Sequence, residues 1–280
     1  RLVLDLVGRL GDPLCEIKQS ENDRQAQDLA ASVGGVGDIA WSPDDQYIAF
    51  NLTTPEKTEM YVLKVQDALA NPSIEPIRLP VSTEKRYRIP SWQPMMMEDL
   101  AREESTPQPP STPSAEGLLA FTSNESGNYD IYTMRADGGG LTNLTNHPAN
   151  DYSPLWSPDG RRILFISERT GDTDIFSMDP HGGDLRQLTD NPGFDGFFSS
   201  SPDGRRLMYL SSSGNDANVA QLTLMNADGS NKLQLTDPGS YIFLGWSPNG
   251  QKVVYQKQDM DGIQNNEIHV SDINGTNHYI

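Results

Sequence analysis

The residues of this chain with the means to do chemistry are four histidines, one cysteine and a recurring set of carboxylates. His147 and His181 sit in or beside turn-like segments, His269 lies in a strand-like run, and His278 falls near the last residue. None of these spacings is that of a metal-ligand set, which argues against a lyase built on histidine-held metal. A lone cysteine, Cys15, provides neither an internal disulfide framework nor a paired-thiol zinc site. Serine-nucleophile chemistry needs a G-x-S-x-G elbow between a strand and a helix, and no such motif occurs. Phosphate cradles are equally missing: "ADGGGLT" is read as a turn joining two strands, not as a glycine-rich nucleotide loop. No catalytic, cofactor-binding or metal-binding residue is expected.

The carboxylates recur at one position. Asp130 and Asp174 each precede a short strand-like run, Glu59 and Glu267 stand at matching places, and Gln221 interrupts the series. One reading is a ring of carboxylates for a cation. The other, which is favoured, is side-chain capping of the preceding loop, repeated because the structural unit is repeated. Asp159, Asp203 and Asn249 belong to Pro-Asp-Gly-type turns. The sequons at Asn51, Asn124, Asn143 and Asn274 are read as accidental in a chain rich in serine and threonine.

The elements that would position such residues follow from composition. With 280 residues, 35% hydrophobic, 24 Gly and 20 Pro, the chain can bury a sizeable core and suits many short strands joined by turns. Its formal net charge of −18 repels phosphate backbones and anionic lipid, which excludes nucleic acid as the expected ligand. No apolar run is long enough to span a membrane. The first residues, "RLVLDLVG", resemble the inside of a strand more than an initiator or a leader, so the chain is read as a piece of something longer.

A cassette recurs: "DIAWSPDDQYIAF", "RIPSWQP", "SPLWSPDGRRILF", "GFFSSSPDGRRLMYL" and "FLGWSPNGQKVVY". All four tryptophans (Trp41, Trp92, Trp156 and Trp246) fall at one cassette position, and Ser200 replaces Trp in the fourth copy. The spacings are 51, 64, 44 and 46 residues, and the longest contains a Pro-rich insertion at 95–116 that is read as a solvated linker. A period in the forties is that of a four-stranded propeller blade. Each copy supplies a strand ending at the Trp, a tight Pro-Asp-Gly turn, an apolar strand such as 163–166, a polar loop, a third strand such as "DIFSMD", and a fourth such as "LRQLT". The tryptophans are expected to be inter-blade wedges, because one sheet cannot bury both of its faces alone.

"WSPDGRRILFISERTGDTDIFSMDPHGGDLRQLT" and "AFTSNESGNYDIYTMRADGGGLTNLTNHPANDYSPLWSPDG" resemble the TolB-type, WD-like β-propeller repeat of bacteria over about residues 35–280. The resemblance implies an all-β propeller of four-stranded antiparallel blades. It also implies an extracytoplasmic setting, periplasm or cell surface, since TolB is a periplasmic propeller that binds an outer-membrane lipoprotein and Tol partners. The two-layered N-terminal domain of TolB is not visible, which argues against a full TolB. Similar repeats occur in propeller domains of prolyl-oligopeptidase-like and tricorn-like peptidases, so fold is implied more directly than role.

Six blades are expected, five clear repeats plus a partial one whose outer strands come from residues 1–34. On the competing arrangement, residues 1–94 end one propeller and 117–280 begin a second. Any site should lie at the channel mouth, where one blade's outer strand leads into the next blade's inner strand. The residues there are Asp38, Tyr87, Arg88, Asp151, Tyr152, Phe194, Asp195 and Tyr241. Their mix of carboxylates and aromatic rings suits a protein or peptide partner, with basic groups favoured. The expected function is therefore a non-catalytic binding scaffold or sensor module without cofactor. The alternative is a substrate-gating propeller of a serine peptidase whose catalytic domain is not in this chain.

Overall fold

The computed structural model describes residues 35–42, 47–53, 58–64, 77–79, 88–92, 117–214, 219–258 and 267–276. These residues are all-β, in five antiparallel meanders whose strands pair in chain order. The partial blade expected at 1–34 and the Pro-rich insertion at 95–116 lie outside the described residues.

The first sheet is β1 (Gly35–Trp41), β2 (Tyr47–Thr53), β3 (Thr58–Lys64) and β4 (Ile77–Arg78). The second is β5 (Arg88–Trp92), β6 (Leu118–Ser123), β7 (Asp130–Arg135) and β8 (Thr142–Asn143), with β5 paired to β6. The third is β9 (Asp151–Trp156), β10 (Ile163–Ser167), β11 (Asp174–Met178) and β12 (Arg186–Gln187). The fourth is β13 (Phe194–Ser200), β14 (Arg206–Ser212), β15 (Gln221–Asn226) and β16 (Leu233–Gln234). The fifth shows three strands among the described residues, β17 (Ser240–Trp246), β18 (Lys252–Gln258) and β19 (Glu267–Asp272). Two compact units divide the chain, Arg1–His147 with Tyr152–Leu155, and Pro148–Asp151 with Trp156–Ile280.

The Ser-Pro-Asp-Gly turn works as its residue types require. Ser157 Oγ donates to Asp159 at 2.6 Å and accepts the Arg162 amide at 2.9 Å, while Gly160 takes a φ of 64° that a side chain would resist. Ser201 with Gly204 and Ser247 with Gly250 repeat the arrangement at φ 68° and 66°.

Core formation is an inter-sheet affair. In the first unit, Ala49, Met60 and Val62 of the first sheet pack with Leu119, Phe121, Tyr132 and Met134 of the second. In the second unit, Leu164, Ile175 and Leu188 of the third sheet meet Leu207, Tyr209 and Met225 of the fourth. The opposite face of the fourth sheet, through Met208, Leu210, Leu222 and Leu224, packs with Tyr241, Val253 and Tyr255 of the fifth. Within the sheets, the second and third strands stack rings across the ladder: Phe50 on Tyr61, Phe121 on Tyr132 and Phe165 on Phe176, at 5.6, 6.0 and 5.9 Å between centroids.

Trp246 packs against the cluster shared by the fourth and fifth sheets and its Nε1–H reaches the Ser199 carbonyl at 3.3 Å. Trp156 is 3% exposed. The side chains of Trp41 and Trp92 lie outside the described residues.

The fourth strands are shorter than "LRQLT" predicts: β12 is two residues long. After it, Leu188 turns into the core with its amide still donating to the Ile175 carbonyl at 2.8 Å, while the Ile175 amide donates to a hydroxyl, Thr189 Oγ1, at 2.9 Å.

Candidate functional site

The first strand of each sheet carries an irregularity a few residues before the Trp position. Register shifts fall between Val36 and Ile39, Arg88 and Ser91, Gly196 and Ser199, and Ile242 and Gly245. In β9 the matching residue is Ser153, at a φ of 57°. A bulge leaves one residue out of the ladder and re-aims it. In β9 the freed Ser153 amide donates to Thr122 Oγ1 at 3.1 Å. In β13 the residue so displaced is Phe197, held at a φ of 48° and 62% exposed. A bulky residue in the left-handed region costs on the order of 1–3 kcal/mol and is typical of functional surfaces. Its ring lies 5.5 Å from that of Phe194, tilted by 48°. Gly196 makes room for that pair, since a Cβ there would fall 2.7 Å from the Phe194 ring.

Of the residues expected at the mouth, three are buried. Asp151 is 0% exposed, and Arg169 Nη2 donates to both of its oxygens at 3.0 and 2.9 Å. The same guanidinium sits over Phe165 and Phe176, 5.5 and 5.0 Å from the ring centres, and its Nε–H donates to Ser167 Oγ at 2.8 Å. Tyr241 is buried, donates its hydroxyl to the Asp237 carbonyl at 2.8 Å and meets Tyr255 edge-on. Asp195 is also fully buried, with the Asn191 amide at 3.1 Å. None of these three offers a surface to a partner in this conformation. Phe194 and Tyr152 are half-buried. Asp38 lies in β1 and Arg88 in β5 with side chains outside the described residues, as is Tyr87 altogether.

The third-strand carboxylates act as clasps. Asp130 accepts from Ser126 Oγ, Asn143 Nδ2, Thr145 Oγ1 and the His147 amide. Asp174 accepts from Thr170 Oγ1 at 2.6 Å, Gln187 Nε2 at 3.0 Å and Thr189 Oγ1 at 3.1 Å. Burial pushes the Asp174 carboxyl above the usual range while these hydroxyls and the amide pull the other way. Glu59 instead pairs with Arg78 at 2.9 Å and accepts from the Tyr61 hydroxyl, and Glu267 faces His269 at 3.0 Å. Each of these carboxylates thus has its partners within its own sheet or the loops that adjoin its strands. The partners were not read from the sequence: the threonine of the recurring Leu-Thr pair is what closes the clasp, and its signal was the repetition itself.

Among the described residues no group of three or more His, Cys, Asp or Glu could hold a metal. His147 and His181 contribute backbone amides to turns, and His269 stacks flat on Tyr255 at 5.3 Å. His278 lies outside the described residues. Phe197 is the surface residue that sequence reading missed. The only signal was an aromatic pair, "FF", following a glycine in a first strand, and the bulge that exposes it breaks the two-residue alternation on which strand faces are assigned.

Against known proteins, the TolB beta propeller domain profile matches residues 101–279. No curated protein sequence matches the chain. Among solved structures, TolB from Acinetobacter baumannii superposes with a TM-score of 0.61 at 19% identity, covering 86% of this chain and 53% of that one. A protein assigned as TolB from Agrobacterium tumefaciens gives 0.60 at 26% identity, covering 88% and 80%. A puromycin-hydrolyzing peptidase of Mycobacterium tuberculosis gives 0.62 at 15% identity, covering 90% of this chain and 38% of the peptidase. The chain spans about half the length of the Acinetobacter TolB. Recurring four-stranded meanders, cores formed between successive sheets and the profile match over most of the chain together place it in the TolB β-propeller domain family.

Proposed function

We propose that this chain is a non-catalytic binding module, a TolB-like scaffold or sensor that engages a protein or peptide outside the cytoplasm. The observation that carries this reading is Phe197, an exposed aromatic ring held in a strained backbone conformation on a first strand. First strands surround the central channel in propellers, and rigid aromatic rings dominate the energetics of protein contacts. The net charge of −18 favours a partner with basic groups, by steering its approach and by excluding acidic competitors. The periplasmic setting of TolB, which this family resembles, supports the location.

The test is a panel of immobilised basic peptides with and without aromatic residues, probed with the wild-type chain and with Phe197→Ser. Capture of aromatic-containing basic peptides by the wild type, weakened at least tenfold by the substitution with the fold intact, is the expected result. Equal capture by both proteins removes the first strand as the binding surface.

The peptidase-gating alternative draws on one observation, the likeness to the puromycin-hydrolyzing peptidase. Peptide hydrolysis by the complete gene product, lost when this propeller is deleted, would decide for it.

A further inference from the structure

The third and fourth sheets carry the same buried carboxyl with different surroundings. Asp151 in β9 and Asp195 in β13 occupy the same cassette position, 44 residues apart, and both are 0% exposed. Asp151 has a counter-ion, since Arg169 arrives from the loop after β10 and binds both oxygens. Forty-four residues on, the arginine is replaced by Ser213, which is exposed. Among the described residues no lysine, arginine or histidine pairs with Asp195. Its Oδ2 takes the Asn191 amide, and its Oδ1 is buried with no hydrogen-bond partner.

Among the described residues, the groups facing Asp195 are neutral donors and one further carboxyl, none of them a cation. From β11 comes the Asp174 carboxyl, and from the connection between β12 and β13 come Thr189 and Asn191, while Asp190 acts on the same Tyr209 hydroxyl as Asp195. From β14 come Ser211, its ladder partner, and the buried Tyr209 hydroxyl. Lys232 lies on Asp190 at 3.2 Å and so is turned to that carboxylate. Asp172, in the loop before β11, accepts the Gly193 amide at 3.1 Å. Ser211, Asn191 and Thr189 favour the ion, but a neutral donor contributes far less than a buried guanidinium.

We propose that Asp195 is held as a neutral carboxylic acid in the folded protein, and that losing its proton to solvent loosens the joint between the third and fourth sheets. The joint is where the charge would act. The Asp195 amide donates to the Thr173 carbonyl at 2.7 Å and the Thr173 amide to the Gly193 carbonyl at 3.2 Å, sewing β13 to the start of β11. Burial pushes the Asp195 carboxyl above the usual carboxylate range, with Asp174 adding to the rise, in agreement with the geometry. The folded state then binds a proton that the unfolded chain has already released. Stability is therefore full below the unfolded pKa and falls as pH rises through the folded one.

The experiment follows the whole chain. The side-chain carboxyl carbon of Asp195, assigned in the wild type by through-bond correlation to its own backbone amide, is titrated by NMR from about pH 3 to about pH 9, bracketing the ordinary value near 4. Urea unfolding of wild type and Asp195→Asn is followed over the same range. The expected result is titration above the ordinary carboxylate range. In wild type the unfolding constant should rise by up to tenfold per pH unit beyond that of Asp195→Asn, the limit for one proton. Ser213→Arg, which restores the arrangement of the third sheet, should return the Asp195 titration to the ordinary range. Titration of Asp195 near 4 or below in the wild type, or the same pH slope in both proteins, overturns the proposal. The wild-type titration decides even if neither variant folds.

Discussion

Replacing Arg169 by leucine removes the counter-ion from a carboxylate with no access to water, which makes the cost calculable in kind. Asp151 is 0% exposed and the Arg169 side chain 13%, so solvent cannot replace the guanidinium on either side. Breaking a buried ion pair by deleting one partner costs about 3–5 kcal/mol, because the remaining charge stays desolvated. The rings of Phe165 and Phe176 lose a cation above their faces, worth roughly 0.5–2 kcal/mol at a desolvated site. Leucine restores part of that through apolar contact, so a net loss of about 3–5 kcal/mol is expected. Replacing both partners, as Asp151→Leu with Arg169→Leu, should cost far less than the sum of the single changes, since no orphan charge remains. The measurement is urea unfolding of the four members of the cycle, with Trp156 fluorescence reporting on the same sheet. A cost below about 1 kcal/mol for Arg169→Leu would mean that the pair is worth no more than a surface ion pair, and the burial argument fails.

Thr189→Val should cost about 1–3 kcal/mol, since it strips the Ile175 amide and one Asp174 oxygen of their partner in a buried setting; thermal unfolding checks this, and an unchanged melting temperature contradicts it. Phe197→Asn should stabilise the fold by roughly 0.5–1 kcal/mol while weakening peptide capture, because asparagine tolerates the left-handed region and the lost ring is mostly in water. A destabilised variant would show that the Phe197–Phe194 contact, not the strain, dominates.

The sheets were legible because their signals are local. A Trp, then Ser-Pro-Asp-Gly, then an apolar run fixes a turn and two strands within about fifteen residues, and the structure places Gly160, Gly204 and Gly250 at the positive φ those turns require. Repetition supplied the rest, since a ladder read once is read five times. The site was legible only in outline. Asp151, Asp195 and Tyr241 looked like surface residues because they open a strand, yet each is enclosed by residues arriving from other strands or loops. Arg169 lies in a polar loop, "SERTGDT", and nothing in that loop announces that its one arginine turns inward over two phenylalanine rings. Phe197 was missed for the complementary reason: an apolar residue in a strand is assigned inward by alternation, and a bulge cancels the assignment.

The fourth sheet is a wall shared by two rooms. Along β14, Leu207 and Tyr209 serve one core while Met208 and Leu210 serve the other, turn and turn about. Slipping that strand by a single residue would exchange the furnishings of both rooms at once, leaving neither with side chains of the right size. Such a protein can grow or shrink by whole sheets far more safely than by one amino acid inside a sheet, and its length variation should accordingly collect in the loops.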